Sequence, residues 1–259
     1  APKSLNEITK NLPDGAYTTF RTYHGRKTLN LTRQIQRLET TATYVCCPVM
    51  IGEGEFRSAL KMAMKRFGST GELRFRINID LKIEVGTLYI ALETLRPPAE
   101  ADYVNGVDVV TRMLNRKNPK AKLTDFIAIA DQIRCDLPPC IHEALLVDAK
   151  GCLLEGLSSN FFAVKERKIW TEEEAVLSGI TREMVLEEAR KSGIVIIYQP
   201  VHAVHISDLD EAFITSASRG VLPVRSIDGI VIGSGKPGEV TQELARRYEA
   251  RILLEAEDI

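Results

Sequence analysis

The chain has 259 residues, with 34 Lys plus Arg against 35 Asp plus Glu, for a formal charge of −1. So close a balance excludes a nucleic-acid or membrane-surface binder that works by bulk charge, and leaves partner choice to a local site. With 44% apolar and 27% charged residues, a chain of this size buries roughly 70–75% of its unfolded surface and holds a true core.

No run of about 18 uncharged apolar residues occurs, and the first residues, Ala1-Pro-Lys-Ser-Leu-Asn-Glu, lack the basic, apolar, small-residue order of a secretion signal. A cytoplasmic protein is expected. The five cysteines, Cys46, Cys47, Cys135, Cys140 and Cys152, show no Cys-x-x-Cys spacing with a matching pair. They read as reduced thiols, and no metal site is expected.

In chain order, the alternation over residues 15–31 with His24-Gly25 at its turn predicts a hairpin. Amphipathic helices follow over 32–44, with Ile35 and Leu38 on one face, and over 53–67, with Phe56, Leu60, Met64 and Phe67 at helical spacing. Strands at 72–81, 86–95 and 107–114 alternate apolar with polar residues, as in an antiparallel sheet with one wet face. The polar stretch 116–122 marks a boundary, giving a small domain over 1–115, a linker over 116–122 and a larger domain over 123–259. In the larger part, helices are expected at 124–135, 181–191 and 239–255, the second closed by Gly193. Strands are expected at 143–147, 153, 161–164, 168–171, 194–198 and 212–215, with a hairpin at Asp228-Gly229. Regular β-α-β alternation is absent, so the class is α+β.

Four polar features interrupt this pattern. Glu155-Gly-Leu-Ser-Ser-Asn160-Phe-Phe places a carboxylate and a hydroxyl cluster between two buried strands, and reads equally as a solvated turn. Lys122 stands before a helix, where most lysines are simply solvated. Ser178-Gly-Ile180-Thr181-Arg182 opens a helix, which suits an anion or an ordinary threonine cap. Thr215-Ser216-Ala217-Ser218-Arg219-Gly220 ends a buried strand in small hydroxyl residues. Gly-x-Gly-x-x-Gly and the P-loop pattern are absent, so nothing supports a nucleotide.

Taken together and in order, seven segments resemble the fold-type IV pyridoxal-phosphate enzymes: Asp14-Gly15-Ala16-Tyr17, Arg33-Gln-Ile-Gln-Arg37-Leu38, Lys122-Leu-Thr-Asp, Glu143-Ala-Leu-Leu-Val-Asp, Glu155-Gly-Leu-Ser-Ser-Asn160-Phe-Phe, Gly179-Ile180-Thr181-Arg182 and Thr215-Ser216-Ala217. That class includes branched-chain aminotransferases, D-amino acid aminotransferases and aminodeoxychorismate lyases. The resemblance implies a two-domain fold, with a small N-terminal α/β domain and a larger C-terminal domain built on a curved, barrel-like sheet. It also implies a homodimer and small-molecule partners, an amino acid and a 2-oxo acid.

The roles it implies are these. Lys122 forms the Schiff base with pyridoxal 5'-phosphate and moves the α-proton, which requires a reachable neutral amine. Glu155 pairs with the ring nitrogen. Arg37 holds the phosphate, aided by Ile180 and Thr181, with Ser216 and Ala217 on the opposite side, and Ser159 and Asn160 are further cofactor-binding residues. Tyr17 lies by the lysine or the substrate. The expected reaction is amino transfer from a branched-chain-like or D-amino acid, with the lyase and a non-catalytic binding protein as alternatives.

The chain departs from the class at the substrate end. It lacks the Arg-x-His of typical D-amino acid enzymes and the glycine-rich loop of many lyases, and Ile141 stands where branched-chain enzymes place a tyrosine. Arg219, Arg76 and Arg74 are the candidate cations for the substrate carboxylate; the last two share a strand face.

Overall fold

The computed structural model describes residues 4–259, and the chain divides into two compact units. The first takes the chain up to Arg96, then Ala121–Asp131 and Arg251–Ile259; the second takes Pro97–Lys120 and Gln132–Ala250. Residues 1–3, the start of the segment compared with a secretion signal and of the expected 1–115 domain, lie outside the described residues.

The first unit opens with α1 (Leu5–Thr9), β1 (Gly15–Arg21), β2 (Lys27–Thr28), α2 (Leu31–Tyr44), α3 (Glu53–Phe67), β3 (Leu73–Asp80) and β4 (Leu88–Thr94). Strand β3 is central and pairs antiparallel with β1 and β4. Its alternation sends Phe75, Ile77 and Ile79 into a core with Ile35 and Leu38 of α2 and Phe56 and Leu60 of α3. Phe20 of β1 stacks on Phe75 with centroids 5.0 Å apart. The opposite face carries Tyr17, Thr19 and Arg21 in register with Asn78, Arg76 and Arg74.

The hairpin expected over 15–31 is present only at its turn, where Tyr23 and Lys27 bridge antiparallel around His24-Gly25, and its extent is corrected: β1 takes β3 as its partner. The return strand is only β2, which pairs with Glu257–Asp258 near the chain end. Asn30 adopts a left-handed φ of 54° and α2 starts at the next residue, so the extended run stops there.

The chain continues with α4 (Glu100–Asn105), β5 (Val107–Met113), α5 (Asp125–Cys135), β6 (Glu143–Val147), β7 (Leu153–Gly156), β8 (Asn160–Lys165), β9 (Lys168–Trp170), α6 (Ile180–Lys191), β10 (Ile196–Ile197), β11 (Glu211–Ser216), β12 (Gly220–Ile227), β13 (Ile230–Val231), α7 (Glu239–Glu255) and β14 (Glu257–Asp258). In the second unit, β8, β11, β12, β5, β6 and β7 pair in that order, and β7 returns to β8, closing a six-stranded barrel. One face of this sheet packs Val109, Leu145, Phe161, Ala163, Ile214 and Leu222 together. On the alternate face Phe162 and Phe213 stack at 4.7 Å.

Closure corrects a second expectation. Strand β5, read as the third strand of the first domain's antiparallel sheet, lies in the barrel, parallel to both β12 and β6. Its burial alternates at Val107, Asp108 and Val109 as expected, but alternation marks a wet face and says nothing about the partner. Closure also leaves neighbours in a row: Glu155 on β7 pairs with Asn160 on β8, which pairs with Thr215 on β11. Among the described residues, no helix is long and apolar enough to cross a membrane.

Gly15 fastens the start of β1. Its N–H donates to the Thr124 hydroxyl at 3.0 Å, and its carbonyl accepts the Thr124 N–H at 2.9 Å. A Cβ at this position would sit 1.8 Å from the Ile79 carbonyl oxygen. Gly15→Ala is expected to force β1 off β3 and cost about 1–3 kcal/mol, read as a lower urea midpoint.

Candidate active site

Lys122 lies in the first unit and is tied between the sheet and α2. Its carbonyl accepts the Tyr17 N–H at 2.9 Å, and its own N–H reaches the Thr41 hydroxyl of α2 at 3.4 Å. The next residue, Leu123, bridges Ala16. These bonds hold a segment with no strand of its own at a fixed place beside β1. The Lys122 Nζ stands 4.9 Å from the Tyr17 ring centroid, and the Arg76 guanidinium is 5.1 Å from the same centroid. A cation over a tyrosine face is stabilised by the ring quadrupole, so Tyr17 positions both groups.

Arg37 is half-buried on α2. Gln34 and Thr41 lie three residues before and four after it, on the same helix face. Gln34 accepts the Thr18 hydroxyl of β1 at 2.5 Å, and Thr41 accepts the Lys122 N–H. Arg37 is therefore presented on the face that touches β1 and the Lys122 segment.

The second unit holds the carboxylate. Glu155 is 3% exposed, and its Oε1 accepts Arg116 Nη1 at 2.9 Å. Its Oε2 accepts the Leu177 N–H at 3.2 Å and the Asn160 amide at 3.5 Å. Asn160 also donates to the Leu177 carbonyl at 2.7 Å, so it braces both sides of the Glu155 site. A guanidinium that is itself only 8% exposed in its side chain makes an ionised carboxylate tolerable at this depth. Arg116 went unmarked as a site residue in the sequence because it sits in a polar stretch. The signal for it is indirect: a buried carboxylate needs a cation, and the polar stretch supplies several.

Helix α6 starts at Ile180 after Gly179, which forms no side-chain cap. A Cβ on Gly179 would lie 2.1 Å from Asn160 Oδ1, so glycine lets the helix start approach the Asn160 brace. The first N–H groups of this 12-residue helix, those of Ile180 and Thr181, have no intrahelical acceptor and lie at the positive end of the helix dipole, an arrangement that suits an anion. Thr215, next to Asn160 in the barrel row, has a buried hydroxyl with no partner among the described residues. Ser216 follows it, with its hydroxyl accepting Arg219 Nε at 3.0 Å, and Ala217 begins the turn to β12. The Ser159 hydroxyl donates to Glu143 at 3.2 Å.

Each candidate substrate cation has protein partners. Arg74 pairs with Glu93 at 2.9 Å. Arg76, 4% exposed, donates to Asn6 at 2.6 Å and to Thr9 at 3.2 Å, while its Nε is unpartnered among the described residues. Arg219 donates to Glu143 at 2.9 Å. Beside Arg76, Asn78 is 1% exposed and neither amide atom has a partner among the described residues. It is the cross-strand neighbour of Tyr17, and in the sequence it reads only as one polar position of an alternating strand.

Burial pushes the Glu143 carboxyl up, but the charges of Arg219 and Arg134, with hydrogen bonds from Arg219 and Ser158, hold it below its ordinary value of 4.5. Burial, followed by the Arg219 charge, pushes neighbouring His142 down from 6.5 and favours the neutral imidazole at pH 7.

The pyridoxal phosphate implied by the resemblance fits what each unit offers. The first has an amine fixed beside a tyrosine, with an arginine on an adjoining helix; the second has a buried carboxylate acceptor and an uncapped helix start. Comparison with known proteins agrees. The family described as amino-transferase class IV matches residues 15–227. A probable branched-chain-amino-acid aminotransferase of Thermotoga maritima is 30% identical over 251 residues, covering 94% of this chain and 88% of that one. The D-alanine aminotransferase of Bacillus licheniformis is 28% identical over 267 residues, 93% of this chain and 89% of its own. A hypothetical aminotransferase of Mycobacterium tuberculosis, solved with alpha-ketoglutarate and PMP bound, shares the fold with a TM-score of 0.78 at 18% identity, over 98% of this chain and 94% of that one.

Two expectations follow from the charges. Arg116→Met strands the Glu155 carboxylate and is expected to cost about 3–5 kcal/mol of stability, whereas Arg116→Met with Glu155→Met recovers most of it in chemical denaturation. Because folding lowers the Glu143 pKa, its contribution is complete above the unfolded glutamate value of about 4.3 and disappears as pH falls through the lower folded value. Thermal midpoints measured against pH should therefore fall more steeply below that value in the wild type than in Glu143→Gln.

Proposed function

The chain belongs to the class IV aminotransferases, and we propose that it moves an amino group between a branched-chain or D-amino acid and a 2-oxo acid, with Lys122 as the amine that holds the cofactor. Members of the family are enzymes, which sets aside the non-catalytic alternative. Pyridoxal 5'-phosphate is their cofactor, and when bound it supplies a ring that draws off the electron pair left at the substrate α-carbon.

The chain's own residues do the rest. Lys122 Nζ takes the α-proton and returns it, held over the Tyr17 ring by backbone bonds to β1 and α2. Glu155 accepts the ring N–H and keeps that nitrogen protonated; Arg116 pairs with Glu155 at 2.9 Å. Asn160 and the Leu177 N–H fix the carboxylate's orientation. Arg37 and the N–H groups of Ile180 and Thr181 bind the phosphate, with the Ser216–Ala217 turn as a further donor.

The buried Arg116–Glu155 pair carries the reading. Such a pair is weak support for stability, because its desolvation cost rivals its attraction. A carboxylate fixed in charge and orientation is what a ring nitrogen needs. Relatives named for branched-chain amino acids and for D-alanine support the two substrate classes. The reading includes a cytoplasmic location and a homodimer, the homodimer checked by sedimentation of the purified protein.

Purified protein given pyridoxal phosphate should show a visible absorbance band that Lys122→Ala abolishes. A panel of L- and D-amino acids should convert that band to the amine form in single half-reactions. Failure of the wild type to take up the cofactor overturns the proposal. So does cofactor uptake with no half-reaction and release of pyruvate from aminodeoxychorismate, which assigns the chain to the lyases.

A further inference from the structure

Arg219 suits a substrate carboxylate by sequence, but its geometry commits it to another task. It sits in the turn from β11 to β12, and its Nη2 donates to Glu143 Oε2 at 2.9 Å, to the Ser158 hydroxyl at 2.7 Å and to the Ser158 carbonyl at 3.1 Å. Its Nε donates to the Ser216 hydroxyl at 3.0 Å. The turn itself is held from α4, where the Tyr103 hydroxyl donates to the Arg219 carbonyl at 2.8 Å. One guanidinium therefore ties two turns together: that of Ser216 and Ala217, and that of Ser158 and Ser159.

The anchor beneath it is rigid. Glu143 is 1% exposed and also accepts the hydroxyls of Ser158 at 2.9 Å and Ser159 at 3.2 Å. Gly156 closes the space around it, since a Cβ there would meet Ser159 Oγ at 2.2 Å and Glu143 Cγ at 2.9 Å. The Ser158–Ser159 turn joins Glu155 to Asn160, the residue that braces the Glu155 carboxylate. A planar fork with donors in fixed directions reaches Glu143 and Ser216 at once, and a lysine ammonium on its flexible stem cannot replace both contacts.

We propose that Arg219 is a positioning residue: anchored on Glu143, it locks the Ser216–Ala217 turn to the Glu155–Asn160 loop and sets the span across which the cofactor's ring nitrogen and anionic end are gripped. This rests on the placement of pyridoxal phosphate on those two loops given above. It also removes Arg219 from the cations that hold the substrate carboxylate. The buried ion pair then acts as a spacer whose value lies in fixed geometry.

The test compares the wild type, Arg219→Lys, and the double variant Arg219→Met with Glu143→Met, which removes both charges and leaves neither stranded. Three quantities are read: the thermal midpoint of the cofactor-free protein, the Kd of that protein for pyridoxal phosphate by fluorescence titration, and KM against maximal rate in the amino-acid half-reaction. We expect at least one variant to fold with a near-wild-type midpoint, and every folded variant to show a Kd raised about tenfold or more, a difference of one decade in affinity. The maximal rate should fall with it, and the amino-acid KM should change less than the Kd does. A raised KM at wild-type cofactor Kd would mark Arg219 as a substrate cation and overturn the inference. Loss of fold in both variants would show a merely structural pair and also overturn it. Wild-type uptake with unchanged Kd in a folded variant defeats this inference alone. Failure of the wild type to bind the cofactor defeats the functional reading, and this inference with it.

Discussion

The second unit holds one carboxylate, Glu155, in an ion pair where water scarcely reaches it. Glu155 is buried in a barrel row, where a charge left without a partner is costly. Arg116 supplies the countercharge, and Leu177 and Asn160 supply directed donors. Each requirement constrains another part of the chain. Arg116 must be brought in from beyond the end of β5, Asn160 must pair with Glu155 across β7 and β8, and Gly179 must lack a side chain so that the start of α6 can approach Asn160. Barrel closure is what makes these conditions compatible, because it makes β7 and β8 neighbours while leaving their joining turn at the rim.

The first unit meets a different demand with a similar device. As the amine proposed to hold the cofactor, Lys122 must be fixed in place. Lys122 is positioned by its backbone, through Tyr17 N–H and Thr41, and its amine rests over an aromatic face. Arg76 approaches the same ring, yet its Nη1 is engaged by Asn6 and Thr9 of the N-terminal helix. Asn78, its amide buried without a partner among the described residues, shows that this polar face is not packed for stability alone.

Periodicity carried most of the element boundaries. Helices α2, α3, α5, α6 and α7 start and stop within a residue or so of their apolar patterns, because each buries one face, and α3 and α6 also end at the breakers Gly68 and Gly193. Pairing was not legible in the same way. Strand β5 alternates as an antiparallel strand does, yet it runs parallel between β12 and β6, since a pattern of burial records the face and not the neighbour. The two-residue β2 follows the expected turn, but its pairing with the far end of the chain carries no local signal.

The site was legible to the extent that its chemistry depends on residue type and order. Lys122, Glu155 and the Gly179-Ile180-Thr181 helix start follow from short segments, while Arg116, Arg219 and Asn78 take their meaning from contacts far along the chain. Arginine is the hardest case. Arg74, Arg76, Arg116 and Arg219 look alike in sequence, but they meet Glu93, Asn6 with Thr9, Glu155, and Glu143. A formal charge of −1 therefore describes the chain poorly. Arg74, Arg116 and Arg219 each meet a carboxylate while Arg76 meets neutral acceptors, so each guanidinium is held by its own partners, and orientation rather than excess charge distinguishes them.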